Sequence, residues 1–304
     1  MPGYLETING ILRRQAARHP GLVQFGENIA QGSRIGGLAR NLEGRVLTVG
    51  NCENTHAGAG FGMMLEGGQA LLVVKQLDFL LLALDQMVNT MSLIRARGAG
   101  PGLGSFTILT IVCDQGWQGP QSSYHDLAGM CALARADGYF LNGAADAERI
   151  LNRHLVKPGF RLIAVSQRRF GEECLELPVI EKGSDATADG YLQYADGADA
   201  TIAAFGFALP AALELSATLR TQGVCAAVFS LNPVLPYEWT AVVASAARSR
   251  RLIVLDDGKG ALSPAHKLVS LALRAAPDCH ATVETREQGW PWTVNEDRFQ
   301  VTAS

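Results

Sequence analysis

Short apolar segments alternate with helical patterns along most of this 304-residue chain. Apolar runs of this kind are typical of strands that are buried on both faces of a sheet. In the first part of the chain they predict strands at Leu22–Phe25, Val46–Val49, Ala70–Val74, Phe106–Cys113, Tyr139–Leu141 and Arg161–Val165. Because strands and helices alternate, we expect a parallel sheet with helices on both of its faces.

A change of composition marks the middle of the chain. Residues 181–197, EKGSDATADGYLQYADG, are polar, acidic and rich in glycine, and they predict a linker. A smaller β-α-β-α-β unit follows, with elements at Ala200–Ala204, Ala208–Arg220, Val224–Phe229, Tyr237–Ser249 and Arg251–Leu255. We therefore predict an α/β protein of two domains, 1–180 and 198–304, each with a mostly parallel sheet flanked by helices.

The composition narrows the class of protein. A net charge of -3 gives no reason to expect a nucleic acid or a membrane surface as partner. The longest apolar run, Phe79–Leu84, is too short to span a membrane, and the N-terminus lacks the apolar core of a secretory signal. Six scattered cysteines indicate neither a disulfide framework nor a zinc site. The sequence thus predicts a soluble cytoplasmic protein.

The stretch Gly50–Arg95 carries the densest set of candidate functional residues. Glu53 precedes a run in which glycine recurs five times, at Gly58, Gly60, Gly62, Gly67 and Gly68. Glycines lower helix propensity, so a helix here needs a packing reason. The following segment, Phe79–Ala96, predicts a helix too apolar for a surface, which favours burial at a subunit interface.

Each of these residues also has a simple structural interpretation. A glutamate before a glycine run commonly complements a helix dipole, and Phe79 alone is typical of a core. Glu27 is also consistent with a cap at the end of a strand. A dinucleotide site is excluded, because Met63 stands where the third glycine of the fingerprint belongs.

In order along the chain, these motifs resemble the pyrimidine-binding half of the transketolase-like thiamine diphosphate enzymes, as found in the beta subunits of 2-oxoacid dehydrogenases. The resemblance rests on Gly26–Ala30, on Glu53 five residues before Gly58, and on Asp78-Phe79 followed by Asp85–Asn89. It implies a pyrimidine-binding domain, a linker and a transketolase C-terminal-like domain.

The resemblance also implies roles for individual residues. Glu53 matches the carboxyl that shares a proton with a pyrimidine nitrogen of thiamine diphosphate. Phe79 matches the aromatic ring against which the pyrimidine packs, and Glu27 belongs to a strand end near the cofactor. Burial of Glu53 would raise its pKa and keep it able to donate a proton.

Half of the family's site is missing from this sequence. The family holds the diphosphate and its metal through a GDG motif, which occurs nowhere here. The resemblance therefore implies a partner, an alpha-type subunit that carries the diphosphate-binding domain and holds most of the Mg²⁺ ligands. An α2β2 assembly is the expected form.

The substrate residues depart from the family pattern. Ser122 stands where the family commonly has a histidine, and His125 lies three residues further on. Either His125 reaches the site as a catalytic residue or it is a solvated histidine at a helix start. Cys113 stands where a sugar-phosphate-binding histidine would fall, and Arg168 with Arg169 offers an anion site unless both are simply solvated.

The sequence thus favours the pyrimidine-binding subunit of a two-chain thiamine diphosphate enzyme that forms and transfers an acyl or ketol unit. Two alternatives remain open. One is a subunit of a 2-oxoacid decarboxylase, and the other is a non-catalytic structural or regulatory subunit derived from the same family.

Overall fold

The computed structural model describes residues 2–98, 100, 102–115, 125–180, 190–232, 239–258 and 263–285. The chain divides into two compact units. The first comprises Met1–Tyr124 and Met130–Glu176, and the second comprises His125–Gly129 and Leu177–Ser304. The division predicted from the sequence, with a linker at 181–197, stays a prediction, since residues 181–189 lie outside the described residues.

The first unit contains a six-stranded parallel sheet in the order β2-β1-β3-β4-β6-β5. Its strands are β1 (Leu22–Gly26), β2 (Arg45–Thr48), β3 (Gln69–Val74), β4 (Ser105–Val112), β5 (Asp137–Phe140) and β6 (Gly159–Ser166). Among the described residues, five α-helices lie between residues 4 and 154: α1 (Tyr4–Arg18), α2 (Glu53–Leu65), α3 (Met91–Arg97), α4 (Leu127–Ala134) and α5 (Ala144–His154). The predicted α/β class is confirmed. Because the strands are parallel, their carboxyl ends meet at one edge of the sheet.

Glycine allows α2 to approach this sheet closely. A Cβ atom added at Gly60 would lie 2.3 Å from two ring atoms of Phe106, a buried residue of β4. The Phe106 ring packs with Phe61 of α2 and Phe160 of β6, with centroid separations of 5.0 and 5.3 Å. This contact is the packing reason that a glycine-rich helix requires.

The second unit contains a five-stranded sheet in the order β11-β10-β8-β9-β7. Its strands are β7 (Tyr191–Ala195), β8 (Ala200–Phe205), β9 (Ala226–Leu231), β10 (Arg251–Asp256) and β11 (His280–Thr285). Its helices are α6 (Leu209–Thr221), α7 (Thr240–Ser249) and α8 (Pro264–Ala275). All strand pairs are parallel except β7 with β9. Strand β7 lies within the predicted linker, and neither α8 nor β11 was predicted.

The prediction of one helix over Phe79–Ala96 is wrong. A 3₁₀ segment covers Leu77–Ala83, a π-helical turn covers Gln86–Thr90, and α3 follows. The two halves, Leu77–Ala83 and Gln86–Arg97, meet at 66°. Within the described residues no single helix is long and apolar enough to cross a membrane, although this bent pair satisfies the criteria of length and composition together. Three leucines of the region are exposed: Leu81, Leu82 and Leu93.

The packing of α2 predicts opposite effects for two neighbouring alanine substitutions. Gly60→Ala should lower the free energy of unfolding by about 1–3 kcal/mol, because the new methyl group meets the Phe106 ring. Gly62→Ala is the matched control. Gly62 is exposed on the same helix with no atom within 4 Å of an added Cβ, so alanine should raise stability by up to about 1 kcal/mol. Urea denaturation measures both, and equal stability of the two variants would contradict the close contact.

Candidate functional site

The candidate site lies at the carboxyl edge of the first sheet. Charged residues follow the ends of five neighbouring strands: Glu27 after β1, Glu53 after β2, Lys75 after β3, Asp114 after β4 and Arg168 after β6. This edge is where parallel α/β sheets place functional groups.

Glu27 and Glu53 form a carboxyl pair. Glu53 is the first residue of α2 and is nine-tenths buried, while Glu27 is half-buried at the end of β1. The pKa of Glu27 is raised by its burial first, then by the charge of the neighbouring Glu53 and by hydrogen bonding with that carboxyl. Lys75 opposes that rise. Two carboxyls in such contact hold a proton between them more readily than either does alone.

Two further polar residues surround this pair. The Asn51 side chain lies 3.2 and 3.3 Å from the two carboxylate oxygens of Glu27, and donates to them when its amide nitrogen faces them. His56 lies one turn after Glu53 on α2, with its ring edge-on to Phe25 at 6.4 Å. Burial lowers the pKa of His56, and the charge of Glu53 acts against that change.

The sequence analysis missed Asn51, His56 and Lys75. The spacing of three residues between Glu53 and His56 on one helix was the available signal. Asn51 lies in the turn that precedes α2, and nothing in the sequence connects it to Glu27. Lys75 follows a strand in the same way as Glu27, so its position at this edge was predictable.

Phe79 is half-buried in the 3₁₀ segment Leu77–Ala83, which packs against α2. The next turn also faces this helix, because the Gln86 amide lies 3.6 Å from where a Cβ of Gly58 would stand. The structure thus brings the segments of Glu53 and Phe79 together in one unit. The role of Phe79 as a pyrimidine platform stays a prediction.

Cys113 is buried directly after β4. Burial, followed by the charges of Asp78 and Asp114, raises the pKa of its thiol to about 12. The thiol is therefore protonated at neutral pH and is a poor nucleophile. The six cysteines all lie among the described residues and form no disulfide; four are buried and two, Cys52 and Cys225, are exposed.

Arg168 and Arg169 have different environments. The Arg168 guanidinium lies 3.7 Å from Asp114, whose other oxygen accepts a 2.8 Å hydrogen bond from the Arg168 backbone N–H. Arg169 is buried, lies 4.7 Å from the centre of the Tyr4 ring and donates to Glu172 at 3.0 Å. Neither arginine is simply solvated, and the packing of Arg169 indicates a structural role. The substrate role of Arg168 stays a prediction.

His125 is counted with the second unit. It is only 1% exposed, so the interpretation as a solvated helix-start histidine is wrong. Its Nε2 atom lies 3.3 Å from the buried carboxylate of Asp257, and its ring lies 5.9 Å from Phe207. The catalytic role of His125 stays a prediction, and Ser122 lies outside the described residues.

The available groups fit one half of a thiamine diphosphate site. A carboxyl pair in which Glu53 is buried and the pKa of Glu27 is raised suits a pyrimidine nitrogen, and Phe79 offers an aromatic surface on a segment packed against the same helix. A diphosphate with Mg²⁺ requires several oxygen ligands. Among the described residues, no group of three or more His, Cys, Asp or Glu side chains is arranged to hold a metal ion.

Comparison with known proteins gives related matches in both parts of the chain. Residues 190–284 match the model of the transketolase C-terminal domain. The beta subunit of the pyruvate dehydrogenase E1 component from Rhizobium meliloti is 21% identical over 268 residues, which are 84% of this chain and 56% of that subunit. The beta subunit of acetoin:2,6-dichlorophenolindophenol oxidoreductase from Cupriavidus necator is 22% identical over 272 residues, which are 83% of this chain and 78% of that subunit.

Solved structures show the same fold. A split-gene transketolase, described as an inactive beta4 tetramer, has a TM-score of 0.67 at 15% identity, and the match covers 94% of this chain and 88% of that one. Transketolase from Campylobacter jejuni has a TM-score of 0.66 at 14% identity, covering 93% of this chain and 42% of that one. The resemblance predicted from the sequence is therefore confirmed: this chain is similar to the beta-type, pyrimidine-binding half of the transketolase-like thiamine diphosphate enzymes.

Proposed function

We propose that this chain is the pyrimidine-binding subunit of a two-chain thiamine diphosphate enzyme. The enzyme would cleave a bond next to the carbonyl group of a 2-oxoacid or a ketose and transfer the resulting acyl or ketol unit. The observation that carries this proposal is the proximity of the Glu27 and Glu53 carboxyls, which the parallel pairing of β1 with β2 brings to the carboxyl edge of the first sheet. Titratable groups whose pKa values are shifted by burial and by a neighbouring charge cluster at functional sites.

The residues of this chain would transfer protons to and from the pyrimidine ring and hold that ring in place. Thiamine diphosphate, when bound, supplies a nucleophilic carbon that attacks a substrate carbonyl. Glu53 would present its carboxyl group to the pyrimidine nitrogen for proton exchange. Glu27, whose pKa is raised beside Glu53, would be the group of the pair that takes up a proton, while Asn51 fixes the orientation of the Glu27 carboxylate. Phe79 restricts the pyrimidine to one plane by stacking.

The diphosphate and Mg²⁺ belong to a partner in this proposal. The sequence has no GDG motif, and the described residues hold no metal-binding cluster. An alpha-type subunit would therefore complete the site, in an α2β2 assembly. Without it, we expect this chain to self-associate in an inactive form, as the name of the split-gene transketolase states for that protein. The exposed leucines Leu81, Leu82 and Leu93 favour such association.

A non-catalytic role is the second candidate. The observation that favours it is the ion pair between Arg168 and Asp114. Because Asp114 already neutralises the Arg168 guanidinium, that cation is less available to bind an anionic substrate. Decarboxylation without transfer is a third outcome of the same site chemistry. Product analysis with 2-oxoacids and sugar phosphates, in the presence and absence of an acceptor, separates decarboxylation from transfer.

Glu53→Gln tests the catalytic proposal in the complex with a GDG-carrying partner chain. The amide cannot exchange a proton with the pyrimidine nitrogen, so turnover should fall about 10²–10⁴-fold. Binding of thiamine diphosphate and Mg²⁺, followed by calorimetry, should be weakened far less. Glu66→Gln, an exposed residue just after the other end of α2, is the control and should leave turnover unchanged.

Two results would contradict the proposal in different ways. Full turnover of the Glu53→Gln complex would leave this chain a non-catalytic subunit. Tight cofactor binding by the isolated wild-type chain, with no partner, would contradict the division of the site between two chains.

The carboxyl pair also predicts how stability depends on pH. Since the folded chain raises the pKa of Glu27, it binds this proton more tightly than the unfolded chain does. The resulting stabilisation is fully present below the unfolded pKa of about 4.3 and is lost as pH rises through the raised folded pKa. Glu27→Gln should therefore be more stable than wild type at pH 8, with a difference that shrinks toward pH 4. Urea midpoints at several pH values measure it, with Glu66→Gln as control, and a constant difference would contradict the paired geometry.

A further inference from the structure

A cavity in the first unit lies against helix α1. We call it the α1 cavity. Its volume is ≈ 530 Å³, which is large enough for a small metabolite. One face of α1, the loop between β1 and β2, and the segment after β6 line it. None of its lining residues belongs to the carboxyl-edge site described above.

Hydrogen bonds hold the walls of the α1 cavity in place. The Asn9 side-chain amide donates to the backbone carbonyls of Leu38 and Arg40, at 2.8 and 2.9 Å, and so ties α1 to the β1–β2 loop. On the other side the backbone N–H of Tyr4 donates to the carbonyl of Glu172 at 2.9 Å. The cavity is therefore a preformed feature of this unit, which lowers the entropic cost of binding.

The β1–β2 loop also carries unusual backbone conformations. Six non-glycine residues have positive φ in the described part of the chain, and four of them lie here: Asn28, Arg34, Ile35 and Asn41. A left-handed conformation is particularly unfavourable for a β-branched residue such as Ile35. Conformations of this kind cluster in ligand-binding segments, where the surrounding structure maintains them.

Two positively charged side chains, Arg13 and Arg40, line the α1 cavity. The side chains of Arg13 and Arg40 make no ion pair or hydrogen bond with any of the described residues. Arg14, next along α1, pairs with Glu148 at 2.6 Å. The lining contains two carboxylates, Glu6 and Glu172, and Glu172 already accepts a hydrogen bond from Arg169 at 3.0 Å. Glu6 is therefore the one lining carboxylate that is left to offset the charges of Arg13 and Arg40.

The Arg40 guanidinium lies close to Gly37 in the wall of the α1 cavity. Its Nη2 atom lies 3.8 Å from where a Cβ of Gly37 would stand, so the charged group folds back over the cavity wall. A larger residue at Gly37 would meet Leu5 at 3.2 Å, and its φ of +107° also favours glycine. Guanidinium groups recognise phosphate and carboxylate oxygens through paired, charge-assisted hydrogen bonds.

We propose that the α1 cavity is a binding site for a small oxyanion, a phosphate or carboxylate group held by Arg13 and Arg40. Glu6 sets the selectivity of the site by opposing ligands of high negative charge. This site is separate from the proposed cofactor site, and it does not depend on a partner chain or on thiamine diphosphate.

Calorimetry with the 304-residue chain at low ionic strength tests the proposal, with inorganic phosphate in one arm and acetate in a parallel arm. Saturable binding of at least one anion is expected, and the arm that binds more tightly identifies the oxyanion. Arg13→Ala and Arg40→Ala should each weaken binding about tenfold or more, since each removes a charged hydrogen-bond donor. Glu6→Gln should strengthen phosphate binding, because it removes a negative charge.

Arg14→Ala is the matched control, with the same loss of charge on the same helix but outside the α1 cavity. It should change the affinity less than twofold. All four positions are exposed, so the variants should fold, and circular dichroism checks this. The proposal is overturned if neither anion binds saturably, if Arg14→Ala weakens binding as much as Arg13→Ala does, or if Glu6→Gln weakens phosphate binding.

Discussion

The parallel pairing of β1 with β2 is the constraint on which the candidate site depends. In that register Gly26 stands opposite Thr48, so the residues that follow both strands emerge at the same edge. Glu27 follows the first strand directly, whereas Glu53 follows the second after a short turn and begins α2. Neither carboxyl comes near the other through sequence proximity. Their contact is a product of the sheet, and the electrostatics of the pair follow from it.

Much of the fold was predictable because buried parallel strands are almost continuously apolar, as in β3, β4, β6 and β8. The missed strands are different. β7 and β11 lie at the two edges of the second sheet, and their partial exposure permits polar residues that hide the strand pattern. The break in the predicted helix over Phe79–Ala96 was also hidden, since π and 3₁₀ turns have no strong sequence signal.

The candidate site was predictable only in part. The ordered motifs singled out Glu53, Phe79 and Glu27, and their roles stay predictions. The residues that contact them depend on tertiary structure, which the sequence does not show. His125 illustrates the limit, because its partner Asp257 is 132 residues away in the sequence. Arg168 and Arg169 are adjacent and chemically identical. One nevertheless pairs with Asp114 at the sheet edge, and the other packs over Tyr4 inside the unit.

The contact between Gly60 and Phe106 has a consequence for how sequences of this kind diverge. The space beside the Phe106 ring is filled by a glycine that has no room for a methyl group. A side chain at position 60 therefore becomes tolerable only after the aromatic ring at position 106 has been replaced by something smaller. The two positions are 46 residues apart and on different elements, and we expect them to vary together among related chains. A small residue at one position then predicts a large residue at the other.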